Sequence, residues 1–237
     1  GAFIKANNTT LGGDDGIAVA YALAILDDDS LIHPPLEVCL TVDEEIGMLG
    51  ATALDMSQLS GKYLLNIDSE EEGVFLTSCA GGVSTKVNLL YSRRDIEDVT
   101  GVILTISGLL GGHSGTEIHR GLANAHKLLG RLLYTFNSTI RYGIDYITGG
   151  TKDNAIACHV EAGLFIENED YNELAEICKE IESEFNNEYD GIENHISISI
   201  KKTDKTRGTI IDSNSKEKLT FILMQSPNGV IAMNPYI

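Results

Sequence analysis

Basic residues are scarce in this chain: 17 Lys and Arg stand against 35 Asp and Glu, for a formal net charge of −18. So acidic a molecule repels phosphate backbones and anionic headgroups, which excludes nucleic acid and an anionic membrane as partners. Long apolar runs are missing too. None approaches the ~18 residues of a membrane span, and the opening Gly-Ala-Phe-Ile-Lys carries no signal-peptide pattern. The 4 cysteines, Cys39, Cys79, Cys158 and Cys178, form no C-x-x-C pair. They read as reduced structural thiols of a cytoplasmic protein rather than a disulfide framework or a thiolate metal site. Several catalytic signatures are also absent: no GxSxG elbow, Walker loop or HExxH helix occurs. No EF-hand loop is present either, which weakens an acidic calcium-binding reading.

What is there is 237 residues, 43% hydrophobic, enough for one large domain or two modest ones. The first third reads as α/β. Residues 16–26 (GIAVAYALAIL) predict an alanine-rich helix, 36–42 (LEVCLTV) and 63–67 (YLLNI) predict strands, and 45–54 a short helix between them. Near-continuous apolar strands separated by helices point to a parallel sheet covered on both faces. Residues 74–78 could add a strand before Ala80-Gly81-Gly82.

From about Val83 the texture changes. Strands are expected over 83–90, 101–107, 142–147, 155–166 and 195–201, and helices over 122–136, 171–185 and 215–224. That order describes an antiparallel sheet backed by helices on one face. The expected division is therefore 1–82 as a partial parallel-sheet domain and 83–237 as an α+β domain.

Carboxylates cluster at the ends of the predicted strands. Asp14 and Asp15 follow Gly12-Gly13 at the mouth of the first helix, where Asp15 suits an N-cap. Asp43-Glu44-Glu45 directly follows the first apolar strand, at the sheet edge where open α/β sheets bind ligands. Asp68 ends the second such strand, while Glu70, Glu71 and Glu72 read as a solvated turn. Three carboxylate clusters at one edge repel one another unless a cation sits among them, so a metal site explains them jointly. Oxygen ligation alone leaves magnesium, manganese, calcium and zinc open.

The histidines divide. His33 reads as a loop residue, and His126, His159 and His195 as structural. His113 sits in Gly111-Gly112-His113-Ser114-Gly115, a glycine-rich turn that would expose its ring, and function and plain loop are equally open on that evidence.

Taken in order, TTLGGDDGIAVAYALAIL, PLEVCLTVDEEIGMLGA, LLNIDSEEEG with SCAGG, GGHSGTEIHRGLANAHKLLGRLL, GGTKDNAI and SPNGV resemble the zinc metallopeptidase family that includes aminoacylases, carboxypeptidase G and carnosinases. Within it they are most similar to the aminoacyl-histidine dipeptidase branch. The resemblance implies a catalytic domain followed by a lid or dimerisation domain, and roles residue by residue. Asp14 matches the carboxylate that bridges two zinc ions. Glu45 and Asp68 match the terminal ligands, and Glu44 the general base. His113 matches the lid histidine that stabilises the oxyanion, and Asn154 a substrate contact. The implied partners are a dipeptide and a second copy of the chain, with manganese or cobalt as possible replacements for zinc.

The family also has a His-x-Asp motif upstream of the first aspartate and a metal-binding histidine near its C-terminus. Neither occurs here, and Ala157 stands where many relatives have proline. The chain is therefore expected to be the middle of a protein about twice as long, and to bind zinc poorly and be catalytically silent by itself. The competing readings are a non-catalytic dimerisation or binding fragment, and a related carboxypeptidase or deacylase acting on another amide.

Overall fold

Asp15 accepts the Ala18 backbone N–H at 3.3 Å and so opens helix α1, Gly16–Asp27. The structure, a computed structural model, describes residues 4–7, 13–69, 72–77, 83 and 85–232. It divides into two compact units, Gly1–Gly81 and Gly82–Ile237. The expected features at Thr9-Thr10-Leu11-Gly12, Glu70, Glu71, Cys79 and Ala80-Gly81-Gly82 lie outside the described residues.

In the first unit, α1 follows the helix expected from the sequence, and a short helix α2 spans Leu49–Ala53. The segments 36–42 and 63–67 have no strand partner among the described residues, and neither do 74–77. The expected parallel sheet is thus not assembled there. Local apolar content is compatible with extended backbone, but a parallel ladder needs neighbours supplied from far along the chain. One clasp does join two of these regions. The Glu37 carboxylate accepts from the Ser60 hydroxyl at 2.6 Å and from the backbone N–H groups of Ser60 and Gly61, each at 2.9 Å. These bonds, the Ser60 hydroxyl first, hold Glu37 below its ordinary pKa.

The second unit is a mixed α/β body. Its strands are β1 (Arg93–Glu97), β2 (Thr100–Ser107), β3 (Gly112–His113), β4 (Tyr142–Gly149), β5 (Ala155–Ile156), β6 (Val160–Ile166), β7 (Ser197–Lys202) and β8 (Arg207–Ile211). Its helices are α3 (Ala125–Phe136), α4 (Tyr171–Glu188) and α5 (Ser213–Gln225). The main sheet runs β4-β6-β2-β7 with every pair antiparallel, as the alternating patterns predict.

Alternation decides which face is core. Val102, Leu104 and Ile106 of β2 are buried with Ala162, Leu164 and Ile166 of β6 under the helices. From α3, Leu128, Leu129, Leu132, Leu133 and Phe136 recur at helical spacing, and all are fully buried. Leu174, Ile177 and Phe185 give α4 its buried face. Arg131 of α3 fixes the two helices together, donating to both Glu188 oxygens at 2.9 and 2.7 Å, with its guanidinium 4.6 Å from the Phe185 ring centre.

Three details depart from expectation. No strand forms over the described part of 83–90; pairing starts later, at β1, which joins β8 in a separate antiparallel ribbon. Its sequence RRDIE buries little, so periodicity could not announce it. The ribbon lies on the sheet face opposite the helices, where Phe165 forms a second apolar cluster with Val99 and Ile210. Finally, 155–166 is not one strand. It breaks after β5, and the Ala157 carbonyl accepts the Ala125 N–H at 2.7 Å, at the start of α3.

Candidate functional site

Gly112 and His113 pair with Ile156 and Ala155, so β3 and β5 make a two-residue ladder apart from the main sheet. One step further, the Ser114 N–H donates to the Asn154 carbonyl at 2.9 Å. Two of the six singled-out residues, His113 and Asn154, thus come together on one small ribbon, both exposed.

The turn after His113 fixes its ring. Nδ1 accepts from the backbone N–H groups of Gly115 at 3.0 Å and Thr116 at 3.1 Å. A nitrogen receiving two N–H groups carries no proton, so in the neutral ring the hydrogen resides on Nε2. The arrangement makes the outer nitrogen of His113 a donor. Its backbone is held as well: the His113 N–H donates to Glu117 Oε2 at 2.9 Å, and the Glu117 N–H returns to the His113 carbonyl at 3.1 Å. Arg120 meets the other Glu117 oxygen at 2.6 Å. The His113 N–H, and after it Arg120, keep the Glu117 carboxyl below its usual range. Glu117 was not singled out in the sequence, though an acid four residues after a histidine in a glycine turn is a readable signal.

On the far side of the Asn154 loop stands His126. A Cβ added at Gly149 would lie 3.0 Å from its Nε2, and one at Gly150 3.3 Å from its Cε1. Burial pushes the His126 pKa down, partly opposed by its hydrogen bond to the Gly149 backbone. The structural role expected for this histidine is therefore to back the Gly149-Gly150 corner that leads to Asn154.

The carboxylates behave differently. Asp14 is exposed after Gly13, next to the capping Asp15. Glu44 and Glu45 ride on a tight turn in which the Gly47 and Met48 N–H groups donate to the Glu44 carbonyl at 3.1 and 3.0 Å. Asp43 adopts φ 60° there. Asp68 donates its N–H to Asn66 Oδ1 at 3.4 Å. Asp14, Glu44, Glu45 and Asp68 are all exposed, and among the described residues no group of three or more His, Cys, Asp and Glu could hold a metal. Their oxygen donors suit a divalent cation in kind, but the described residues do not gather them. Among the described residues no helix is long and apolar enough to cross a membrane.

Residues 104–193, which carry His113 and Asn154, match the peptidase dimerisation domain. Over 232 residues, 98% of the chain, the sequence is 37% identical to the cytosol non-specific dipeptidase of Escherichia coli, covering 48% of it. A Bacillus subtilis protein of uncharacterised role is 38% identical over 72 residues, 29% of this chain and 19% of that one. Among solved structures, the aminoacylhistidine dipeptidase of Vibrio alginolyticus matches with a TM-score of 0.74 and 32% identity, over 98% of this chain and 48% of that one. The chain spans about half the length of the dipeptidases it matches.

Proposed function

We propose, for a chain homologous along nearly its whole length to bacterial dipeptidases, that the whole protein is a dinuclear-zinc dipeptidase hydrolysing Xaa-His and similar dipeptides. The observation that carries this reading is the small ribbon that fixes the His113 imidazole as a donor and brings Asn154 onto the segment paired with the His113 turn. A donor preset at Nε2 is suited to the oxyanion that develops when an amide carbonyl is attacked, because it needs no reorientation as charge appears. Asn154 would orient the substrate next to it. Residues 1–82 would belong to the catalytic domain and 83–237 to the lid.

Asp14, Glu45 and Asp68 are the carboxylates that would hold the metal. Zinc there would acidify a bound water and polarise the scissile carbonyl. Glu44 would take the proton and deliver it to the leaving amine. The match to a dimerisation domain supports a homodimer built through the lid, and the cytosolic naming of the Escherichia coli relative supports a cytoplasmic setting.

The test is hydrolysis of β-alanyl-histidine by the whole protein, compared with longer peptides and N-acyl amino acids, before and after chelation and zinc return. Cleavage of the dipeptide alone, abolished by chelator and restored by zinc, is the expected result. Preference for an N-acyl amino acid would move the reading to a deacylase. Absence of all hydrolysis with zinc bound would leave a non-catalytic dimerisation unit.

A further inference from the structure

The segment that carries His113 leaves the main sheet after β2 and returns at the start of α3, and one side chain meets it at both ends. Glu193 Oε2 accepts the Leu110 N–H at 2.7 Å, and Glu193 Oε1 accepts the Ala123 N–H at 2.9 Å. The two donors flank β3, the His113 turn and Gly121, and each takes one oxygen of a single carboxylate. We infer that Glu193 is a positioning residue for His113, closing the loop at its two roots. This rests on the dipeptidase reading above for its kinetic consequence, though not for its geometry.

The carboxylate is itself anchored. The Glu193 backbone N–H donates to the Tyr189 carbonyl at 3.0 Å, just past the end of α4, and Gly191 turns the chain between them with φ 75°. Two residues on, the His195 carbonyl lies where a side chain at Gly108 would have to go, and Gly108 has φ 85°. The loop root and the Glu193 segment are thus in direct contact. Ala123 has 0% exposure, so water does not readily replace the oxygen its N–H would lose.

Charge is not the feature required; two acceptors on one rigid fork are. Glutamine keeps the volume but has one oxygen, and its amide would face the other backbone donor with N–H against N–H. Alanine removes both acceptors. Loosening the roots lets the His113 ring drift from the substrate carbonyl while leaving the surfaces that bind the dipeptide in place.

The experiment compares Glu193→Gln and Glu193→Ala with the parent in the whole zinc-loaded protein, at a temperature where calorimetry shows all three folded. The expected result is a fall in kcat of roughly 10- to 100-fold, larger for alanine, with KM held within about threefold. Long-range ¹⁵N–¹H spectra of the His113 ring should show a protonated Nε2 and bare Nδ1 in the parent, and averaged tautomers in E193A. Amide exchange at Leu110 and Ala123 should speed up in parallel. Unchanged ring signals and unchanged amide exchange would overturn the inference, whatever the kinetics. A parent that cleaves no dipeptide would defeat the dipeptidase reading alone, because the ring and amide signals still decide whether Glu193 holds the loop.

Discussion

Ser114 and Asn154 are joined by a backbone hydrogen bond of 2.9 Å, and that bond ties the Asn154 backbone to the residue after His113 without using the Asn154 side chain. The Asn154→Ala change should therefore leave β3 and β5 paired. The expected outcome in the whole protein is a drop in kcat/KM of roughly 10- to 100-fold, with a melting temperature unchanged within about 2 °C. A parallel loss of stability would show that the side chain is structural.

Phe136 is fully buried and meets Tyr142 edge-on, with ring centres 5.8 Å apart and planes at 79°. Truncation to alanine removes that contact and leaves a cavity between α3 and the sheet. Urea denaturation should report a loss of about 3–5 kcal/mol for Phe136→Ala.

Gly108 turns β2 toward the His113 loop with φ 85°, and an added Cβ would strike the His195 carbonyl. Backbone cannot retreat as a flexible side chain can. Gly108→Ala should cost about 2 kcal/mol or more, and chemical denaturation against the parent would measure it.

Asp212 caps α5 by accepting the Ser215 N–H at 3.0 Å, and its other oxygen accepts the Ser92 N–H at 3.1 Å and the Ser92 hydroxyl at 3.2 Å. The Ser215 contacts first, and then Ser92, hold its carboxyl below the ordinary 3.8. A folded pKa below the unfolded one gives stability that is complete above the unfolded value and disappears as pH falls through the folded one. Asp212→Asn should thus be less stable than the parent by a constant margin above about pH 5, and that margin should shrink progressively in acid below about pH 4. A margin independent of pH down to the acid limit would refute the assignment.

Cys178 lies buried in α4 with its thiol pushed up to about 12, chiefly by burial and then by Glu182, whereas Cys158 is exposed. Native protein treated with a thiol-specific reagent near pH 8 should be modified at Cys158 and not at Cys178 until it is unfolded. Peptide mapping by mass spectrometry reads both sites.

The helices were legible because their signals are local. Asp15, Asn124 and Asp212 cap helices from the position just before each, and the apolar spacing of 125–136 and 171–188 gives their buried faces directly. The alternation in 100–107 and 197–202 likewise gives strands with a defined inner face. The β1–β8 ribbon was not legible, since RRDIE owes its place to pairing with a partner more than a hundred residues away. The break between β5 and β6 was hidden for a similar reason: the Ala157 carbonyl is taken by the start of α3.

The sequence by itself determined the helices, the antiparallel character of the second unit, and the residues that resemble a dipeptidase site, because capping, periodicity and motif order depend on near neighbours. Only the tertiary structure decided that His113 and Asn154 share one ribbon, that Nδ1 is the accepting nitrogen, and that one carboxylate, Glu193, holds both roots of the loop. Those are contacts between segments far apart in the chain, set by the packing of α3 and α4 on the sheet, and no local pattern encodes which distant N–H a carboxylate will meet.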